Sequence, residues 1–255
     1  MKEIQTKQIM RDWSALGADE RDAAYGPVLA ALEASFEPDK RAGVKVLVPG
    51  CGLGRLVWEC FSAGFDVEGN EFSLYMLMVS SFILNSCADC GPNQFQYRVF
   101  PFIHERDNVL DWADVEREVK FPDVIIHNTR NEGGAMNMAM GEFLHVYREP
   151  NQFDAILSVF FIDTAHNIAD YIEQFHRIMK PGAKWINNGP LLYHFAEISG
   201  EESVELSWTE VKHIIERVGF TIEEERLERG LVYTQNPARL MHNTYSTVFF
   251  VARRN

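Results

Sequence analysis

Basic residues are in short supply. Lys and Arg number 24 against 37 Asp and Glu, a formal net charge of −13. That balance argues against a nucleic-acid partner, because phosphate-backbone binding draws on clustered positive charge. No apolar run approaches the ~20 residues of a membrane-spanning helix, so no membrane partner is expected. The opening segment MKEIQTKQIMRDWS lacks the apolar core of a signal peptide. Cysteine is scarce as well. Four residues (Cys51, Cys60, Cys87, Cys90) cannot form a disulfide scaffold for 255 residues, and a reducing, cytoplasmic setting is the default. Cys87 and Cys90 make a single CxxC with no second pair and no histidine at ligand spacing. Zinc would lack two of its ligands, so no metal site is expected. Internal repeats and low-complexity segments are absent too.

At 255 residues the chain is long enough for one large α/β domain or two small ones, and 46% hydrophobic with 24% charged is ordinary for a soluble globular protein. The chain is organised around Val44 to Glu71, VKVLVPGCGLGRLVWECFSAGFDVEGNE. Val44, Val46, Leu47 and Val48 form an apolar run suited to a buried parallel strand. Gly50, Gly52 and Gly54 break it. Leu56, Val57, Trp58, Cys60 and Phe61 follow at helical spacing, and Gly64 supplies a stop. Asp66 to Gly69 fits a second strand, with Glu71 just past its end. Glycines let backbone approach a ligand closely, and an acid about 20 residues on can accept from ribose hydroxyls. The alternative is a plain strand-to-helix turn.

Two helices are expected ahead of this stretch. The first carries Ile4, Ile9, Trp13 and Leu16, with Gln8 and Arg11 three apart on one face. The second, about Glu20 to Phe36, contains Pro27, which predicts a start or kink there. Pro38 to Gly43 reads as a linker. Such helices either cover a cofactor cleft or simply pack on the sheet. Residues 1–43 are therefore read as a helical cap and 44–255 as the main domain.

After Glu71, SLYMLMVSSFILN predicts an apolar helix buried on most sides, with Met76 and Met78 as core filler. Gln94 to Phe102 can form a strand, and Pro122 to Ile126 a short extended run. Asn128 to Met140 reads as a loop, followed by a short helix up to Arg148. Phe153 to Phe161 is a second strong strand. Asp163 beyond it either faces substrate, as residues past parallel strands do, or caps the helix carrying Ile168, Tyr171, Ile172, Phe175 and Ile178. Further elements are a strand from Lys184, a helix from Thr209 to Val218, and strands at Thr221 to Leu227 and Thr247 to Ala252. The fold class that follows is α/β: a doubly wound, mostly parallel Rossmann-like sheet with an antiparallel edge.

Several longer strings carry a resemblance. RDWS (Arg11 to Ser14), ERDA (Glu20 to Ala23), VPGCGLGRL with GNE, FFIDTAHN (Phe160 to Asn167), GPLLYHF (Gly189 to Phe195) and ELSWTEVK from Glu205 are each unusual. With them the chain resembles the carnosine N-methyltransferase family, a branch of the class I S-adenosylmethionine-dependent methyltransferases, over nearly its whole length. The resemblance implies S-adenosyl-L-methionine as cofactor and carnosine, or a related histidine-containing small molecule or peptide, as acceptor. Carnosine would be methylated on its imidazole to anserine. Cofactor-binding residues would be Gln8, Arg11, Gly50, Gly52, Gly54, Glu71, Glu142, Phe143 and Ser158. Glu142 stands where the family has Asp, and Pro49 stands where many methyltransferases have an acid.

For the acceptor the resemblance implies Asp163, His194, Tyr233 and Tyr245, with Asp163 and His194 catalytic. A family run of tyrosines reads Asn243-Thr244-Tyr245 here, so only Tyr245 matches it. The chain begins without the long N-terminal extension of animal members. A homodimer is among the expected partners. Two other readings stay open: a nicotinamide-dependent oxidoreductase, which the glycine loop also allows, and a non-catalytic cofactor-binding relative. The former lacks a recognisable Tyr-Lys or His arrangement, and retention of Asp163 and His194 speaks against the latter.

Overall fold

A computed structural model describes residues 2–86, 94–126 and 134–255. The expectation about Cys87 and Cys90 falls outside them. Helices α1 (Lys2–Trp13) and α2 (Ala18–Ser35) come first. Strand β1 (Lys45–Pro49), helix α3 (Arg55–Ser62), strand β2 (Asp66–Glu71) and helix α4 (Leu74–Ser81) follow. Strands β3 (Tyr97–Val99) and β4 (Val119–Phe121) form a separate antiparallel pair. Then come β5 (Met136–Met140), β6 (Phe153–Val159), α5 (Ile168–Ile178), β7 (Met179–Gly189), α6 (Trp208–Val218), β8 (Phe220–Leu231) and β9 (Tyr245–Arg254).

The main sheet has the order β5-β2-β1-β6-β7-β9-β8. Its first five strands run parallel, and β9 lies antiparallel between β7 and β8. This is the doubly wound sheet with an antiparallel edge that the alternation of elements predicts.

Period-two alternation explains why both faces are covered. On β1, Leu47 joins the core under α5 and α6, while Val46 and Val48 join the core under α2 and α3. Ile156 against Ala155 and Leu157, and Trp185 against Ile186, divide in the same way. Side chains one residue apart point to opposite faces, so an unbroken apolar run is what a strand buried on both faces requires.

Helix α2 is part of this core, while Ile9 and Trp13 of α1 pack in a separate cluster with Leu53. Ala24, Val28 and Leu32 of α2 share a cluster with Val46, Val48 and Ile186. Helix α2 continues through Pro27 and does not begin there. Burial of apolar side chains on both sides of Pro27 outweighs the one backbone hydrogen bond that proline removes.

Three further expectations are corrected. Residues 136–140 are not loop but the sheet's edge strand β5, paired in register with β2 from Val67↔Met136 to Glu71↔Met140. Residues 122–126 form no strand; the extended segment ends at Phe121, before a cis peptide bond to Pro122. Helix α4 is not buried on most sides. Leu74, Tyr75 and Met78 are more than half exposed, and Ser80 is its only buried residue. The contact face is Ser80 with the half-buried Met76 and Val79, and a Cβ on Gly54 would sit 2.9 Å from Ser80 Oγ. Among the described residues no helix is long and apolar enough to cross a membrane.

Candidate active site

The carboxyl ends of β1, β2, β5 and β6, closed from above by α1, enclose a cavity of about 620 Å³. That is ample for a nucleotide-sized ligand. Its floor is the glycine turn after β1. Gly50 has φ +61°, and a Cβ there would stand 2.4 Å from the Phe161 ring. Gly52 has φ +55°, and a Cβ there would meet no protein atom within 4 Å. The backbone at Gly52 therefore offers a bare surface to a ligand. Gly54, the N-cap of α3, does not line the cavity. Its missing side chain serves the close approach of α4.

Two carboxylates border this floor. Glu71 ends β2; its Oε2 accepts from the Gly52 amide at 2.9 Å and its Oε1 from the Ser73 amide at 2.8 Å. Beside it, the buried Asn70 donates through Nδ2 to the carbonyls of Ala139 (3.2 Å) and Gly141 (3.0 Å). Those bonds place Glu142, which lines the cavity, accepts from the Leu144 amide at 3.1 Å and pairs with His145 at 2.7 Å. Phe143 opens a helical turn (Phe143–Val146) and borders the cavity with its ring packed edge-on to Phe161 and Tyr171.

The roof comes from α1. Gln8 Nε2 donates to the Tyr233 hydroxyl at 2.8 Å. Arg11 is sandwiched between the rings of Tyr25 and Tyr233, 5.0 and 4.5 Å from their centroids. Its Nε lies 3.1 Å from Glu20 Oε1, and its Nη1 lies 3.7 Å from Asp12 Oδ1. Burial works against the Arg11 charge, but Tyr25, Asp12, Tyr233 and Glu20 together raise its pKa, so it stays a cation. Burial raises the pKa of Asp12 and of Glu20, with Arg11 opposing in both.

The remaining wall is the segment after β6 with the 190–195 loop. Phe160 holds φ +50°, donates its amide to Asn188 O at 3.1 Å, and packs on Tyr233 at 4.9 Å. Phe161 stacks on Tyr171 at 4.8 Å. Helix α5 is capped by Asn167, whose side chain accepts from the Ala169 amide; Asp163 is not its cap. Asp163 is only 2% exposed. Its Oδ2 accepts from the Leu192 amide at 2.9 Å, and its carbonyl accepts from the His194 amide at 3.0 Å. Burial raises its pKa, opposed by the Leu192 amide and by His194. Asp163 thus fixes the loop that presents His194, which is exposed and lines the cavity.

Of the residues singled out from the sequence, Gln8, Arg11, Gly50, Gly52, Glu71, Glu142, Phe143, His194 and Tyr233 line this one cavity. Asp163, Gly54, Ser158 and Tyr245 do not. Ser158 is fully buried, donating to Asn187 Oδ1 and accepting from Trp185 Nε1, both at 2.8 Å. Tyr245 stands behind Phe160, with ring centroids 5.7 Å apart. Sequence reasoning missed Asp12, Tyr25 and Asn70, although Asp12 sits in RDWS and Asn70 in GNE. Among the described residues no cluster of three or more His, Cys, Asp or Glu is placed to hold a metal ion.

The description "Carnosine N-methyltransferase" belongs to the family model that matches residues 2–255. The chain belongs to this family. It is 42% identical over 250 residues to the carnosine N-methyltransferase of Mus musculus, covering 97% of this chain and 61% of that protein. The Schizosaccharomyces pombe carnosine N-methyltransferase is 36% identical over 230 residues, covering 85% of this chain and 61% of its own. The chain thus spans about three fifths of the length of these relatives.

Solved structures share the fold. A SAM-dependent methyltransferase from Methanosarcina mazei superposes with a TM-score of 0.56 at 14% identity, over 88% of this chain and 96% of that one. The magnesium protoporphyrin IX methyltransferase of Synechocystis PCC 6803, solved with bound SAH, gives 0.52 at 13% identity, over 94% and 88%. Family membership sets aside the oxidoreductase reading of the glycine loop.

Proposed function

We propose that this chain transfers a methyl group from S-adenosylmethionine to an imidazole nitrogen of carnosine, giving anserine, or of a related histidine-containing small molecule or peptide. One observation carries the reading. The bare Gly52 backbone, the Glu71 carboxylate and the Arg11 cation line the same cavity as His194 and Tyr233. The residues fit the cofactor. Glu71 and Glu142 would accept from its ribose and adenine, Gly50 and Gly52 would admit it closely, and Gln8 with Arg11 would meet its amino-acid end. When bound, its sulfonium supplies an already activated methyl group.

The chain's own residues then have to orient and desolvate. A free imidazole has a pKa near ~6.5, so at neutral pH it carries one N–H and one bare nitrogen, the nucleophile. His194 and Tyr233 would hold the acceptor ring against the donor, with Phe160, packed on Tyr233, excluding water behind it. Asp163 would add negative charge behind His194 as positive charge builds on the ring. Its present bonds also give it the work of fixing the 190–194 loop. We extend the proposal to a cytoplasmic setting and a homodimer.

The test is a transfer assay with labelled S-adenosylmethionine over carnosine, homocarnosine, histidine and histidine peptides. Label on an imidazole nitrogen is the expected result. Tight S-adenosylhomocysteine binding with no transfer to any imidazole overturns the acceptor assignment.

A further inference from the structure

Glu20, in the ERDA string, has no role in the reading above. It is 7% exposed and stands in the first turn of α2. One oxygen of its carboxylate meets two partners. Oε1 lies 3.1 Å from Arg11 Nε and accepts the Thr234 amide at 2.8 Å. Arg11 faces the cavity from the cap, whereas Thr234 follows Tyr233 on the connection between β8 and β9. The Arg11 guanidinium also lies over the Tyr233 ring. A single buried oxygen thus touches both Arg11 of the roof and the segment that carries Tyr233.

We propose that Glu20 is a positioning residue that couples cofactor occupancy at Gln8 and Arg11 to the ordering of the Tyr233 segment. This inference rests on the methyltransferase reading. A ligand that fixes Arg11 fixes the Glu20 carboxylate, and with it the Thr234 amide. Tyr233 is then set before the acceptor arrives, and the ordering entropy is spent once for both sites. The coupling is reciprocal by linkage.

A second anchor of the same segment supplies the control. Asn236 Nδ2 donates to Glu105 Oε2 at 3.1 Å, and Glu105 also takes Lys7 at 3.1 Å. Glu105 touches neither Arg11 nor Thr234 in these bonds. Glu105→Ala should therefore loosen the segment without breaking its link to Arg11.

The experiment is amide hydrogen exchange of peptides spanning residues 232–244, with and without saturating S-adenosylhomocysteine. In the parent, the ligand should slow exchange about fivefold or more, the lower end of ordinary site-to-site coupling. In Glu20→Ala the ligand should still bind, more weakly, and slow exchange less than about twofold. Glu20→Gln keeps the acceptor for the Thr234 amide but loses the ion pair with Arg11, whose Nε makes no hydrogen bond to it. It should therefore lose the ligand response as Glu20→Ala does. Glu105→Ala should exchange faster throughout yet keep the ligand-induced slowing. Should Glu20→Ala not fold, Glu20→Asp reads the same point: its charge remains, but one methylene less cannot span both partners.

A parent-like response in Glu20→Ala or Glu20→Asp overturns the inference. So does an equal loss in Glu105→Ala, or a parent that binds the ligand with no change in residues 232–244. A parent that does not bind S-adenosylhomocysteine at all removes the methyltransferase reading and this inference with it.

Discussion

The Glu71 carboxylate accepts the Gly52 amide at 2.9 Å. The acid at the end of β2 therefore shapes the glycine turn it faces, besides offering its remaining lone pairs to the cavity. Replacing it with alanine should cost cofactor affinity twice, through the lost ribose acceptor and through a loosened turn. A charge-assisted hydrogen bond of this kind is worth about 1.5–3 kcal/mol. Glu71→Ala should thus weaken S-adenosylhomocysteine binding by at least about tenfold by calorimetry, with the far-ultraviolet spectrum unchanged. Parent-like affinity would place the ribose elsewhere.

Gly50 is the position where a side chain does most harm. Its backbone is left-handed, and a Cβ would stand 2.4 Å from Phe161 Cδ2. Phe161 is held by its stack on Tyr171 and its edge contact with Phe143, so it has little room to yield. Gly50→Ala should therefore destabilise by about 1–3 kcal/mol from the backbone alone and displace the aromatic wall. The expected readings are a lowered melting temperature and lost cofactor binding. At Gly52, φ is similar but the added methyl points into open space. Gly52→Ala should harm binding more than stability, and the contrast between the two variants in thermal melts with and without ligand checks the assignment.

The sequence was most legible where a local rule suffices. Val46, Leu47 and Val48 announce β1 because a strand buried on both faces must be apolar throughout, and the helix read at Thr209 to Val218 is α6. Strand β5 was illegible. MNMAM has little β-branched content, and what makes it a strand is its register against β2, a long-range fact. Helix α4 misled because an apolar run does not say how many of its faces find a partner. At the site, the spacing of Gly50, Gly52 and Glu71 pointed to a glycine turn faced by an acid. The Glu20–Thr234 bond spans 214 positions and leaves no trace in either neighbourhood. Asp163 and Asn167 lie four apart, and both residue types cap helices; only the chain path assigns the cap to Asn167.

Tyr233 joins the roof to the wall by two separable contacts. Its hydroxyl accepts from Gln8, and its ring lies between Arg11 and Phe160. Tyr233→Phe removes only the first. The loss of one hydrogen bond, on the order of 1 kcal/mol, should raise the Kd for S-adenosylhomocysteine about fivefold. Tyr233→Ala removes the ring as well and should cost more on both substrates. Indistinguishable Kd values for Tyr233→Phe and the parent would show that Gln8 needs no anchor.

Asp163 can be tested through both activity and acid–base linkage. Burial lifts its pKa above that of the unfolded chain, outweighing the Leu192 amide and His194. For an acid, a raised folded-state pKa means the folded protein binds more protons than the unfolded one between the two values. Its contribution to stability is therefore greatest at low pH and declines as pH rises from the ordinary Asp value, 3.8, through the folded one. Asp163→Asn keeps an oxygen for the Leu192 amide and removes the titration. The difference in melting temperature, variant minus parent, should therefore grow as pH is raised from 4 to 7 in about one-unit steps, and a flat difference would place the titration elsewhere. Activity should move the other way. If the ionised carboxylate stabilises charge building on the acceptor ring, kcat at neutral pH should fall by about 10²-fold, as for loss of one preorganised electrostatic group. S-adenosylhomocysteine affinity should stay close to that of the parent. A variant more stable than the parent at pH 7 but with kcat within a few-fold of it would leave Asp163 only the task of holding the Leu192–His194 backbone.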